Sequence, residues 1–103
     1  MKLIIKGTGI KLTPAIKDYV ELKIEMLQKY LGDIKPINCD FEIELTTKHH
    51  LKGEIFRAEA NLMLPKELLR VEKTEKDLYK AIDKVKDHLA RSIKKYKETK
   101  LNK

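Results

Sequence analysis

The chain has 103 residues, of which 42% are hydrophobic and 38% charged, a balance that is typical of one globular domain with a modest core. No apolar run approaches the roughly 20 residues of a membrane span, and the N-terminus lacks a secretory signal pattern, so we expect a cytoplasmic protein. The net charge of +7 is concentrated near the C-terminus, where residues 74–103 hold ten Lys/Arg against five Asp/Glu.

The first third of the chain predicts a strand and a helix. Residues 2–6 alternate polar and apolar, which predicts a strand that ends at Gly7-Thr8-Gly9. This glycine pair lacks the further glycine or the Gly-Lys-Ser/Thr ending that phosphate-binding loops need. Thr13-Pro14 predicts a helix start, and Gly32 suits its C-terminal cap. Lys23 falls beside the buried stripe, where its stem can lie along tyrosine rings while the ammonium reaches outward. That stripe consists of Ile16, Val20, Ile24, Leu27 and Leu31.

Three strands are predicted next, over residues 37–46, 54–64 and 68–73. The inward parity of the first of them includes Ile37 and Cys39, and this single cysteine is assigned no function and excludes an internal disulfide. The small Ala58 and Ala60 are expected to make room for a helix. The turn at His49-His50 offers no spaced third ligand, so we predict no metal site. The outward parity is acidic, with Asp40, Glu42, Glu44 and Glu59.

A long amphipathic helix is predicted to begin after Thr74 as its cap, with Asp77 in a capping-box position, and to run to about Glu98. Residues 99–103 are expected to form a frayed basic tail. The apolar stripe of this helix consists of Leu78, Ile82, Val85, Leu89, Ile93 and Tyr96. A second stripe, within about 80° of arc, consists of Lys80, Lys84, His88, Arg91 and Lys95.

These elements predict an α+β domain over residues 1–98, with two layers in the order β-α-β-β-β-α. The first helix is long enough for a right-handed crossover, which makes the first two strands parallel neighbours, and the other connections are short and antiparallel. Both helices are expected on one face of the four-stranded sheet, opposite the acidic face. The localised positive charge favours nucleic acid as a partner, although a solvated basic helix without a ligand explains the charge equally well.

Several segments resemble the ribosome hibernation promoting factors, a family that includes the ribosome-associated inhibitor once called the sigma-54 modulation protein. They are Leu68–Glu72, Asp77–Asp83, Leu89–Lys97, Ile4–Gly9, Thr13–Ile16 and the spacing of Lys23, Leu27 and Tyr30. The resemblance covers essentially the whole chain. It implies the same strand and helix order, similar to double-stranded RNA-binding domains.

The resemblance also implies a function. Its members bind the small ribosomal subunit through 16S rRNA, in the channel used by mRNA and tRNA, and keep idle ribosomes inactive. We therefore expect the small subunit and the intact ribosome as partners, with no membrane, small-molecule substrate or cofactor, and a monomer off the ribosome. The rRNA-binding residues that the resemblance and the basic stripe together imply are Lys23, Lys80, Lys84, His88, Arg91, Lys95 and Lys97.

The chain departs from the family pattern at three points. His88 stands where lysine is frequent, which makes part of the charge depend on pH. Met26 replaces a basic residue that is common on the first helix. Long family members add a linker and a dimerisation domain after this region. This sequence ends at Lys103 without either, so we expect a short form or a piece of a long one.

Because the sequence shows no catalytic set of residues, we expect a steric mechanism. A domain that fills the channel excludes mRNA and tRNA without any turnover. A general structured-RNA-binding module, which binds any duplex with similar affinity, is the alternative. A small enzyme such as an acylphosphatase is a third hypothesis, but Gly7–Lys11 lacks the arginine-bearing phosphate loop that this activity needs. We therefore predict that the protein is not an enzyme.

Overall fold

A computed structural model describes residues 1–46 and 53–100. The predicted α+β class and the order of strands and helices are confirmed, with the first helix divided in two. His49 and His50 lie outside the described residues. The elements are β1 (Lys2–Thr8), α1 (Pro14–Glu25), α2 (Gln28–Leu31), β2 (Asn38–Thr46), β3 (Ile55–Leu64), β4 (Glu67–Glu75) and α3 (Leu78–Lys100).

The four strands form one sheet in the order β1-β2-β3-β4. β1 pairs with β2 in parallel, and the two later pairs are antiparallel, as the connection lengths predict. α3 packs on β3 and β4 and also contacts α1 and α2. The helices therefore form one layer, and the opposite face of the sheet, here called the open face, carries the polar parity of the strands.

The core lies between the helical layer and the sheet. All residues of the two predicted apolar stripes are less than 10% exposed, and Ala58 and Ala60 lie fully buried on the sheet face toward α3. Cys39 is also fully buried. Its burial, and then the nearby charge of Asp40, raises the pKa of the thiol to about 12, so the group stays protonated and is a poor nucleophile.

The first helix begins as predicted and is interrupted near its end. The Thr13 hydroxyl accepts a hydrogen bond from the Ile16 N–H at 3.2 Å, and Pro14 occupies the first turn. The Leu27 N–H then bonds to the carbonyl of Ile24 at 3.0 Å, a tighter turn than the α-helical one. Gly32, with a φ of 58°, ends α2 as a residue that tolerates positive φ.

The predicted capping of the last helix by Thr74 is wrong. Thr74 pairs with Arg57 inside β4, which extends to Glu75. The Asp77 carboxylate instead accepts hydrogen bonds from the backbone N–H groups of Tyr79 at 2.8 Å and Lys80 at 3.1 Å. Asp77 therefore fulfils the capping role, because β4 continues its pairing with β3 past the position that the local motif favoured.

Two other boundaries differ from the prediction. Ile37 was expected to face the core, but it lies just before β2 and is 58% exposed, since strand alternation does not reveal where the helical layer stops covering the sheet. α3 continues to Lys100, two residues beyond the predicted end at Glu98. Residues 101–103 lie outside the described residues.

Candidate nucleic-acid interface

Five of the seven predicted rRNA-binding residues share one flank of α3, here called the basic stripe: Lys80, Lys84, His88, Arg91 and Lys95. They recur at three- and four-residue intervals, so one helix aligns them without any contribution from loops. The four lysine and arginine side chains are exposed and His88 is half-buried. The apolar stripe of the same helix anchors this row rigidly, because its residues are buried in the core.

The cations of the basic stripe differ in how far they are already neutralised. Lys84 forms a salt bridge with Glu75 at the end of β4, and its side chain remains 57% exposed. Lys80, Arg91 and Lys95 have no salt-bridge partner within the described part of the chain. These three positive charges can therefore pair with an external anion without first breaking an internal ion pair.

His88 is the weakest member of the basic stripe at neutral pH. Its Nδ1 atom is buried without a hydrogen-bond partner among the described residues. Burial lowers the pKa of His88, and the positive charges of Lys73 and Arg91 lower it further. The imidazole is therefore neutral at pH 7, and the charge of the stripe comes from its lysines and arginine.

Lys73 is a basic neighbour of the stripe that the sequence reasoning missed. It lies on β4, on the same parity as the buried Leu69 and Val71, and its charge acts on His88. The positive surface thus continues from α3 onto the edge strand. The sequence feature that could have identified Lys73 is a lysine at an inward-facing position of the strand, where the alternation of apolar residues in β4 stops.

Lys23 lies on the other side of α3, at the seam with α1. Its ammonium group is 3.2 Å from the Asp83 carboxylate and 5.1 Å from the centre of the Tyr19 ring, and its side chain is only 19% exposed. The hydrogen bond to Asp83 is the main reason that the pKa of Lys23 is raised. The expected outward-reaching ammonium is therefore wrong, since the charge is already paired inside the protein.

Two tyrosines complete this seam. The Tyr19 hydroxyl donates a 2.6 Å hydrogen bond to Asp83, which raises the pKa of Tyr19, and the Tyr19 and Tyr79 rings meet edge to face at 4.8 Å. This contact packs Tyr79 against α1, although its side chain is 39% exposed. Lys97 lies on the same side of α3 and donates a 3.1 Å hydrogen bond to the carbonyl of Tyr30.

The open face carries the opposite chemistry. Arg57 on β3 donates to Glu42 and Glu44 on β2 and to Glu59 on β3, each at 2.7 Å, and to Glu72 on β4 at 3.1 Å. These contacts raise the pKa of Arg57. The pKa of Glu42 is lowered by a hydrogen bond from Thr8 and then by Arg57, and that of Glu59 chiefly by Arg57. The carboxylates of the open face therefore form an internally bonded cluster around Arg57.

Within residues 1–46 and 53–100, no group of three or more His, Cys, Asp or Glu side chains is placed to hold a metal ion. Over the same residues, no helix combines the length and the apolar character needed to cross a membrane.

The sequence matches the family described as sigma 54 modulation protein / S30EA ribosomal protein over residues 3–101. The chain belongs to this family. It is 35% identical to the ribosome hibernation promotion factor of Lactococcus lactis subsp. cremoris (strain MG1363) over 102 residues, which are 99% of this chain and 52% of that protein. The factor of the same name from Bacillus subtilis (strain 168) is 35% identical over 95% of this chain and 49% of its own length. The chain thus spans about half the length of these relatives.

Solved structures share the fold of this family member. The N-terminal domain of Protein Y from Thermus thermophilus matches with a TM-score of 0.80 and 34% identity, covering 93% of this chain and 99% of that domain. A ribosomal subunit interface protein from Coxiella burnetii matches with the same TM-score of 0.80 at 22% identity, a level that shows the fold alone.

Proposed function

We propose that this family member is a ribosome hibernation factor that binds the small ribosomal subunit and blocks translation sterically. In this proposal the basic stripe, extended by Lys73, lies against 16S rRNA in the channel that mRNA and tRNA use. The main support is that Lys80, Arg91 and Lys95 are exposed and have no salt-bridge partner among the described residues, on a helix whose opposite side is anchored in the core. The names of the relatives from Lactococcus lactis and Bacillus subtilis agree with this role.

The binding energy is expected to come from phosphates. Structured RNA presents closely spaced phosphate charges, and each lysine or arginine that meets one releases condensed counterions and forms a charge-assisted hydrogen bond. A rigid helix can lie in a groove of folded RNA by shape, without reading base edges. The carboxylates of the open face lie on the other side of the sheet from the helical layer and are already bonded to Arg57, so the excess positive charge that attracts RNA lies on the helical side.

Inhibition in this proposal needs occupancy and no chemical step. A domain that fills the channel excludes mRNA and the anticodon ends of tRNA for as long as it remains bound. The protein then acts as a monomer in the cytoplasm, without cofactor or small-molecule substrate. Direct rRNA contacts of Lys23 and Lys97 remain predictions, and each would require its present bond to Asp83 or to the Tyr30 carbonyl to be exchanged for a phosphate.

Sedimentation of the purified protein with isolated subunits and with intact ribosomes tests the proposal. We expect the protein to sediment with small subunits and with whole ribosomes, and to be released when mRNA and initiator tRNA are added together. Large subunits alone serve as the control and should leave the protein in the supernatant. Equal binding to a free RNA duplex, insensitive to mRNA and tRNA, would replace the proposal with a general structured-RNA-binding module.

A further inference from the structure

A cleft at the far end of the helical layer is separate from the basic stripe. It lies where the loop after α2, the β3–β4 turn and the last turns of α3 meet, and its volume is about 640 Å³. We call it the end cleft. Binding sites for small organic ligands typically enclose about 300–1,000 Å³, so the end cleft is large enough for one.

The wall of the end cleft is apolar and comes from three separate segments. Ile34 contributes from the loop after α2, Pro65 from the β3–β4 turn and Tyr96 from α3. Tyr96 is only 9% exposed, so the core holds its ring in place and only a small part of the side chain faces the end cleft. A flat ring that enters the end cleft would meet apolar atoms and an aromatic side chain, a setting that suits a nucleobase.

The rim of the end cleft carries one lysine from each of the same segments: Lys35, Lys66 and Lys100. Lys100 is 3.9 Å from Glu67, a long and exposed salt bridge that contributes little. Lys35 and Lys66 are exposed and have no salt-bridge partner in the described part of the chain. Two ammonium groups are thus available to an anion at the mouth of an apolar cleft.

Two carboxylates restrict the chemistry of the ligand. Asp33 and Glu67 also line the end cleft, so a bare phosphate would meet repulsion as well as attraction. A ligand that combines a phosphate with N–H donors satisfies both kinds of group, because carboxylates accept hydrogen bonds and ammonium groups donate them. A nucleotide has this combination, with an apolar ring face between the two.

We propose that the end cleft binds a nucleotide, with the base against Ile34, Pro65 and Tyr96 and the phosphate at Lys35 and Lys66. This inference goes beyond the proposed function and does not depend on it. The nucleotide can be an unpaired residue of an RNA chain or a free nucleotide, since both offer the same base and phosphate.

Titration of the full chain, followed by amide resonances in two-dimensional NMR, tests the proposal without ribosomes. The probes are AMP, GMP, the two matching nucleosides and inorganic phosphate. We expect AMP or GMP to shift the amides of Ile34, Lys35 and Lys66 at concentrations at least five-fold lower than either the nucleoside or phosphate does. Shifts that centre on the basic stripe, or phosphate acting as strongly as the nucleotides, would overturn the proposal.

Matched charge reversals separate the end cleft from general electrostatics. Lys35→Glu/Lys66→Glu should weaken nucleotide binding at least five-fold. Lys11→Glu/Lys17→Glu changes the net charge equally, at exposed positions near the start of α1, and should leave binding within two-fold of the parent. Equal losses in both variants would contradict a specific site. Circular dichroism checks that each variant is folded.

A short single-stranded RNA distinguishes the two sources of the ligand. If the end cleft serves RNA, a hexanucleotide should shift the same amides at concentrations at least ten-fold lower than a mononucleotide, because neighbouring phosphates reach other lysines. If free nucleotides are the ligand, the mononucleotide should bind at least as tightly as the hexanucleotide. Both results require the shifts to lie at the end cleft, and their absence there with every probe would refute the proposal.

Discussion

Removal of two cations from the basic stripe is the sharpest mutational test of the proposed interface. Arg91 and Lys95 lie one turn apart on α3, are exposed, and have no salt-bridge partner in the described part of the chain. Alanine at both positions keeps a residue of high helix propensity in α3 and breaks no salt bridge of the described residues, so the fold should survive. A loss of binding would then report lost contacts with RNA.

The size of this loss follows from counterion release. One phosphate contact contributes a factor of about 8 in affinity at 0.1 M monovalent salt, so the loss of two contacts should weaken binding about 60-fold. The slope of log affinity against log salt should fall by about 2. Lys84→Ala alone should cost less than Arg91→Ala alone, because Lys84 already pairs with Glu75.

Binding of a labelled protein to small subunits, measured at several salt concentrations, provides both quantities. Lys2→Ala/Lys6→Ala is the matched control, since it removes the same charge from exposed positions on β1. This control should change the affinity less than three-fold. Equal effects of the two double substitutions would show that net charge alone drives binding, and an unchanged affinity of the Arg91/Lys95 variant would refute the assignment of the interface.

Three further predictions concern stability, and urea unfolding checks each of them. Arg57→Met should lower the free energy of unfolding by about 3 kcal/mol, because it leaves several carboxylates without their cation. Arg70→Met, at a side chain that is 64% exposed, should lower it by less than about 1 kcal/mol. Equal losses would contradict the central role of Arg57. Asp77→Ala should lower the free energy of unfolding by about 1 kcal/mol, because it removes a helix cap, and Thr74→Ala should lower it by less. A larger loss for Thr74→Ala would show that Thr74 is the cap. The pKa of His88 is lower in the folded state, so the unfolded chain takes up its proton first and this group costs stability as pH falls below about 6.5. His88→Gln should therefore lose less stability than the parent between pH 8 and pH 5, and parallel profiles would contradict the burial of His88.

Local sequence patterns were sufficient for the fold because burial here follows simple periodicities. The stripe from Leu78 to Tyr96 recurs at helical spacing, and the alternation from Cys39 to Ile43 repeats every second residue. Each pattern has only one face that can be buried, so the layer arrangement follows once both are placed together. The prediction missed the end of β4, because Thr74 looks like a helix cap locally while its pairing with Arg57 depends on a distant strand.

The positions of the basic residues along one flank of α3 could be predicted from the sequence. Which of these charges are free to bind RNA, and which are already paired inside the protein, could not. Helical spacing alone aligns the basic stripe on α3. Whether a lysine is available depends on partners far away in the chain: Asp83 lies 60 residues from Lys23, and the Tyr30 carbonyl lies 67 residues from Lys97. Composition and periodicity contain no information about such pairs, so the structure was needed to separate paired from unpaired cations.

Directed hydroxyl-radical cleavage tests most directly which face of the protein meets rRNA. Cys39 is fully buried and the pKa of its thiol is raised to about 12, so a new surface cysteine can be labelled selectively with an iron chelate. Lys95→Cys places the label on the basic stripe, and Lys6→Cys places it on β1, away from the helical layer. We expect the label at position 95 to cleave 16S rRNA strongly along the mRNA and tRNA channel and the label at position 6 to cleave it weakly. Strong cleavage from position 6 with none from position 95 would contradict the account.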